Sequence, residues 1–240
     1  MNAFDRYAPF IQDFIYSHDW ESLRSIQVAA ADAIFNTQDN VLLTASTASG
    51  KTEAAFFPIL TEFWENPPAS VGALYIGPLK ALINDQFVRL NDLCEEADIP
   101  VWHWHGDVSQ SHKAKLIKKP SGILQITPES LEALLIHKHM AIPRMFCDLR
   151  YVVIDEVHSL MRGDRGGQTL CLIERLSRMA IRDVSAFPPR WATPSARAPF
   201  SRRERGATAL SPALRNRAAC GASPWSTSTT RAPRLSNEDS

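Results

Sequence analysis

Five short apolar runs, near residues 41–45, 72–76, 101–104, 122–126 and 150–154, recur along the chain with helical patterns between them. The runs are too short for helices and several are rich in β-branched residues, so each reads as a strand. The intervening stretches repeat apolar residues at three- and four-residue steps. Ile26, Ala29, Ala30, Ala33 and Ile34 form one stripe, Leu79, Leu82, Ile83, Phe87 and Leu90 a second, and Leu170, Ile173, Leu176 and Ala180 a third. Strand and helix in alternation predict an α/β chain with a mainly parallel sheet and right-handed crossovers. Ligands gather at the carboxyl ends of such strands, so chemistry is expected in the residues that follow each run.

Two of those junctions carry it. After Val41-Leu42-Leu43 the chain reads Ala45, Ser46, Thr47, Ala48, Ser49, Gly50, Lys51 and Thr52, and then a helical pattern. Small residues let successive backbone N–H groups close around an anion, and the helix adds its positive end. Lys51 supplies a cation and Thr52 a hydroxyl suited to Mg²⁺, so the segment predicts a nucleoside triphosphate site, although Ala45 stands where the usual loop begins with glycine. After Tyr151-Val152-Val153-Ile154 come Asp155 and Glu156. Adjacent acids at a strand tip suit a division of labour, with Asp155 holding the metal and Glu156 polarising the water that attacks the γ-phosphate. Lys51 and Glu156 are therefore the expected catalytic residues. A solvated turn is the alternative for an isolated Asp-Glu pair, and the phosphate loop upstream argues against it.

Asp155-Glu156-Val157-His158 resembles motif II of the superfamily 2 helicases, the DEAD/DEAH-box group, and other segments fall in that family's order across residues 20–180. The resemblance implies a P-loop, RecA-like three-layer sandwich over residues 21–184 that uses ATP and Mg²⁺. Leu23-Arg24-Ser25-Ile26-Gln27 resembles the Q-motif, which implies that Gln27 reads the adenine edge. The segment from Gly77 to Gln86 resembles motif Ia and Thr127-Pro128-Glu129-Ser130 resembles motif Ib. Both contact the sugar-phosphate backbone of DNA or RNA in the family, which implicates Pro78, Leu79, Lys80, Thr127, Pro128 and Glu129. Gly106 and Asp107 lie where many members carry a further Gly-Asp element, and His158 is implied to couple the two sites. The combination Pro-Leu-Lys-Ala-Leu, Thr-Pro-Glu-Ser-Leu and Asp-Glu-Val-His is most similar to the large-helicase-related branch. Complete relatives couple Mg-ATP hydrolysis to translocation or strand separation.

Several residues have plainer readings beside these. Thr127 fits a helix cap and Lys80 a solvated lysine. Lys113, Lys115, Lys118 and Lys119 form either a solvated helix face or a phosphate contact. Trp102-His103-Trp104-His105 reads as an alternating strand rather than a metal site, because no cysteine or carboxylate set accompanies it. His137-Lys138-His139 reads as a solvated helix end. The net charge is +0, so any nucleic-acid contact must come from a local groove rather than a global basic field. Four scattered cysteines, Cys94, Cys147, Cys171 and Cys220, point to reduced thiols in a cytoplasmic setting. No run approaches membrane-spanning length and the first residues lack a signal pattern, so no membrane partner is expected.

The pattern breaks after about Ser185, where Ala, Ser, Pro and Arg dominate and lysine, valine and isoleucine do not recur. In the implied fold, a motif III strand bearing Ser-Ala-Thr lies between the phosphate-loop strand and the motif II strand. Trp191-Ala192-Thr193 is the nearest match, and Phe187-Pro188-Pro189-Arg190-Trp191 makes a poor central strand because proline cannot donate to the ladder. The expectation is an N-terminal extension over residues 1–20, an irregular tail over 185–240 and an unfilled slot in the sheet. With no second RecA-like domain in view, the chain is expected to be truncated and weak or inactive alone, its last segment a frame-shifted read-out or a disordered tail. The rival readings are a non-catalytic nucleic-acid-binding fragment, a subunit whose partner supplies the second lobe in trans, and a P-loop kinase, which the motif Ia and Ib segments speak against.

Overall fold

The computed structural model describes residues 2–44, 50–157 and 164–180 in full, and residues 190–195 and 207–210 by backbone alone. Two helices, α1 (Pro9–Ser17) and α2 (Ser25–Asn36), precede the first strand, β1 (Asn40–Thr44). Then come α3 (Lys51–Glu65), β2 (Val71–Ile76), α4 (Lys80–Glu95), β3 (Val101–Trp104), α5 (Gln110–Lys118), β4 (Gly122–Ile126), α6 (Pro128–His137), α7 (Ile142–Met145), β5 (Tyr151–Ile154), α8 (Asp164–Ala180), β6 (Arg190–Ser195) and β7 (Ala207–Leu210). They build one sheet in the order β3-β4-β2-β5-β6-β1-β7. All neighbouring pairs are parallel except β7, which runs antiparallel to β1 at the edge.

Every residue of β2, β4 and β5 is buried, as strands covered on both faces require. Their side chains alternate between two cores. Ala73, Tyr75, Tyr151 and Val153 face the layer of α1 to α4, whereas Leu74, Ile76, Val152 and Ile154 face α6, α7 and α8. This is the three-layer α/β sandwich expected. On α3, Phe56, Phe57, Ile59 and Leu60 are fully buried and Phe57 meets the rings of Tyr7, Phe14 and Trp20. Helix α1 belongs to the same core through Phe10, Ile11 and Ile15.

The slot expected to stand empty is filled. Arg190–Ser195 pairs with β5 through Val152↔Trp191 and Val153↔Ala192, and with β1 through Val41↔Ala192, Leu42↔Thr193 and Leu43↔Pro194. The correction has a simple cause. Pro188 and Pro189 precede the strand and lie outside the described residues. Ala192, with an intact N–H group, is the residue paired on both sides, Trp191 pairs with β5, and Pro194 falls where β1 alone is the partner. The sheet thus continues past residue 184, into the segment where an irregular tail was expected.

Candidate nucleotide and nucleic-acid site

Strand register brings the motif-bearing junctions to one edge. Ile76 lies level with Ile126 and Ile154, and Trp104 with Ile126. The ladder runs one step beyond the strands, through Gly77 N–H to the Ile126 carbonyl at 3.1 Å and Asp155 N–H to the Ile76 carbonyl at 2.9 Å. The chains then part, so Gly77-Pro78, His105-Gly106-Asp107, Thr127-Pro128 and Asp155-Glu156 all leave the same side. Because β1 is parallel to β6, and β6 to β5, the loop after Thr44 leaves there too. The tips of β1 and β5 are two ladder spacings apart, roughly 10 Å.

Ala45, Ser46, Thr47, Ala48 and Ser49 lie outside the described residues, and so does His158. Gly50 caps α3 with a left-handed φ of 76°, and Lys51 and Thr52 form the first turn, where backbone N–H groups point outward. Glycine suits this cap, since L side chains rarely adopt such a φ and a Cβ there would stand 2.7 Å from Gln27 Nε2, which would have to shift. Gln27 is fully buried. Its carbonyl oxygen accepts from Arg24 N–H at 2.9 Å, closing the turn that starts α2, while its Nε2 has no partner among the described residues. A buried amide donor left open beside the phosphate loop suits a polar ligand edge. Glu53, one turn into α3, pairs with Arg89 of α4. A cavity of about 190 Å³ opens beside them, walled by Phe14, Trp20 and Thr52. Sequence reasoning missed the Glu53–Arg89 pair, because nothing local links residues on separate helices.

Asp155 sits at the tip of β5, only 9% exposed. One carboxylate oxygen accepts from the Tyr75 hydroxyl and the other from Glu156 N–H at 2.8 Å. Burial, followed by the charge and hydrogen bond of Asp155, holds the Tyr75 phenol well above its ordinary pKa, so it remains a proton donor to the carboxylate. Each carboxylate oxygen keeps a further lone pair. Such a carboxylate, with the hydroxyl of Thr52 across the edge, fits Mg²⁺, which binds through one or two carboxylates plus phosphate and water rather than a full protein cage. Glu156 adopts a left-handed φ of 49°, an uncommon conformation for a residue with a side chain and one that clusters at functional sites.

The other half of the edge is ionic. Lys80 Nζ contacts both oxygens of Asp107 at 3.1 Å, lying over Gly106, whose added Cβ would come within 3.3 Å of it. His105 contacts Asn84 at 2.9 Å behind this pair. Thr127 caps α6, its Oγ1 accepting from Ser130 N–H at 3.3 Å, and Pro128 takes the first helical position. Leu79 is exposed at the start of α4. Arg165 of α8 donates to the Pro78 carbonyl at 2.7 Å and to Glu129 Oε1 at 2.6 Å. One guanidinium therefore ties the two segments together, a role no local signal around residue 165 announces.

Among the residues with plainer readings, His103, His105 and His112 stack with ring centroids 5.2 to 5.5 Å apart. Among the described residues no group of three or more His, Cys, Asp or Glu side chains is arranged to hold a metal ion. Lys113 is buried, its ammonium 5.7 Å from the Trp104 ring, whereas Lys115, Lys118 and Lys119 are exposed. Cys94, Cys147 and Cys171 are free thiols, and no described helix is long and apolar enough to cross a membrane.

The chain's residues 24–195 match the DEAD/DEAH box helicase model, a span that takes in β6. The ATP-dependent helicase YprA of Bacillus subtilis is 30% identical over 169 residues, 70% of this chain and 21% of that protein. ATP-dependent helicase Lhr-Core of Methanothermobacter thermautotrophicus is 34% identical over 156 residues, 58% of this chain and 18% of the relative. Among solved structures, the Lhr helicase of Mycobacterium smegmatis bound to ssDNA and AMP-PNP superposes with a TM-score of 0.69 at 26% identity, covering 82% of this chain and 26% of that one. The chain thus spans about a fifth of the length of these curated relatives. With its sandwich, its strand-end edge and this match over most of its length, the chain belongs to the DEAD/DEAH box helicase family.

Proposed function

We propose that this chain forms the ATP-binding domain of a nucleic-acid helicase, in which hydrolysis of ATP is coupled to translocation along, or separation of, DNA or RNA strands. The observation that supports this most directly is the separation of the α3 start from the Asp155-Glu156 tip by a single strand, with the open Gln27 amide beside Gly50. Backbone N–H groups of Ala45 to Gly50 cradle the phosphates, Lys51 neutralises them and Gln27 addresses the adenine edge. Glu156 orients the water that attacks the γ-phosphorus, and ADP leaves as the phosphoryl group is transferred to water. Magnesium, when bound, offsets the charge of the β- and γ-phosphate oxygens, and Thr52 and Asp155 would hold it.

Pro78, Leu79, Lys80, Gly106, Asp107, Thr127, Pro128 and Glu129 form the strip that faces the sugar-phosphate backbone, which gives binding with little base preference. His158 couples the strip to the nucleotide. Cationic groups from a second RecA-like lobe, in trans or in the same protein, stabilise the transition-state charge, a contribution of about 10³ to 10⁵ in rate in related phosphoryl transfers. The setting is the cytoplasm, consistent with the free thiols.

Titration with a fluorescent ATP analogue and magnesium tests the nucleotide half. Lys51→Ala is expected to weaken binding at least about 100-fold, whereas Glu156→Gln spares binding and removes turnover in any two-lobe system that restores it. Unchanged binding by Lys51→Ala would sink the assignment.

A further inference from the structure

We propose that Arg165 is a phosphate ligand of this domain, and that Glu129 and Asp107 occupy Arg165 and Lys80 as carboxylate stand-ins until a nucleic-acid backbone displaces them. The inference rests on the reading that this edge faces a nucleic acid. Asp107 and Glu129 belong to segments expected at the backbone, yet a carboxylate beside a phosphate repels it. Both are instead bonded to the nearest cation, Asp107 to Lys80 through both oxygens and Glu129 to Arg165.

The pairs are built to exchange. Their side chains are 52% and 71% exposed for Lys80 and Asp107, and 39% and 58% for Arg165 and Glu129, so solvent screens each attraction and a phosphate competes on favourable terms. The same nitrogen, Arg165 Nη2, also donates to the Pro78 carbonyl at 2.7 Å, a tether that does not involve Glu129. When the carboxylate swings away, Nη2 stays bonded to Pro78 and regains an N–H at the junction of the two segments, a charge-assisted donor for a phosphate oxygen. Lys80 lies over Gly106, where the missing side chain leaves the ammonium room to turn. The exchange also reconciles a neutral chain with a backbone-binding edge, because in the free protein each of these two cations is cancelled by its own acid.

Fluorescence anisotropy with single-stranded DNA and RNA oligomers of about 20 nucleotides, across roughly 50 to 200 mM salt, tests this on the full chain. Glu129→Gln and Asp107→Asn keep the side-chain shape and release the cation, and each is expected to tighten binding about threefold or more at the low-salt end. Arg165→Ala is expected to weaken binding about five- to tenfold on every sequence and to lower the slope of log K against log salt by about 0.7, the signature of one lost phosphate contact. Glu129→Gln that weakens binding or leaves it unchanged identifies Glu129 as a strut and overturns the stand-in role. Arg165→Ala with an unchanged salt slope overturns the ligand role, even if affinity falls. A wild-type chain with no salt-dependent binding overturns the functional reading itself, and this inference with it.

Discussion

The two halves of the strand-end edge are made of the same kinds of residue and obey different physics. On the half proposed to take nucleotide, Gln27, Tyr75 and Asp155 are buried, while Lys51, Thr52 and Glu156 are half-buried. Gln27 is 0% exposed and Asp155 9%, and Tyr75, itself buried, is held to Asp155 by its hydroxyl. On the half proposed to face nucleic acid, the side chains of Lys80, Asp107, Arg165 and Glu129 are 39 to 71% exposed. A buried polar group must be satisfied by the protein or by a ligand, so its position is fixed and its removal is felt by the whole fold. An exposed ion pair contributes about 0 to 1 kcal/mol, so its members are free to change partners. Under the proposed roles, burial fixes the position of the groups in one half, and exposure leaves the ion pairs of the other free to exchange.

The contrast breaks most visibly at Gly50. Gly50→Ala meets a left-handed backbone and a Cβ position 2.7 Å from Gln27 Nε2, so both the cap of α3 and the Gln27 amide must shift. We expect a loss of about 1 to 3 kcal/mol in urea unfolding together with loss of nucleotide binding. Nucleotide binding at wild-type strength would show that the cradle tolerates a rearranged cap.

Tyr75→Phe comes next. Removing the hydroxyl leaves a buried carboxylate oxygen without its donor, and a loss of about 1 to 3 kcal/mol is expected. The same buried groups set an alkaline limit. Burial pushes the Cys94 thiol from 9.0 up to about 12, and Tyr75 is raised well above 10.0. Both fold in the protonated form, so their contribution is complete below the unfolded-state pKa and is lost as pH rises above it. Urea midpoints should therefore hold through neutral pH and fall above about pH 9, first through Cys94 and then through Tyr75. Cys94→Ala should move the onset upward, and an unmoved onset would exclude the thiol as the cause.

Lys80→Ala should be the mildest for the fold, within about 0.5 kcal/mol of wild type, while weakening single-strand binding on all sequences. A large loss of stability would show that the exposed half is structural after all.

How much of this was legible in the sequence follows the same division. β2, β4 and β5 were readable because strands buried on both faces are unbroken apolar runs, and their tips carried the acids and the prolines. The start of α3 at Gly50, Lys51 and Thr52 was readable because a strand, a run of small residues and a helical pattern follow one another directly. Helix α1 had a signal in the spacing of Phe10, Ile11, Phe14 and Ile15 that went unused. β6 was hidden by its flanking prolines, whose effect depends on register, and register is set by neighbours far along the chain. Arg165 and Glu129 stand 36 residues apart, and Glu53 and Arg89 likewise, so only tertiary packing could join them.

β6 is also the single plank between the two parts of the floor. To one side stand β3, β4, β2 and β5, and to the other β1 and β7, with no other pairing across among the described residues. A recombinant fragment that stops before residue 190 would cut that joint and leave the flanks of β1 and β5 without their hydrogen-bonding neighbour, an invitation to self-association. Stopping beyond Leu210 keeps the platform whole.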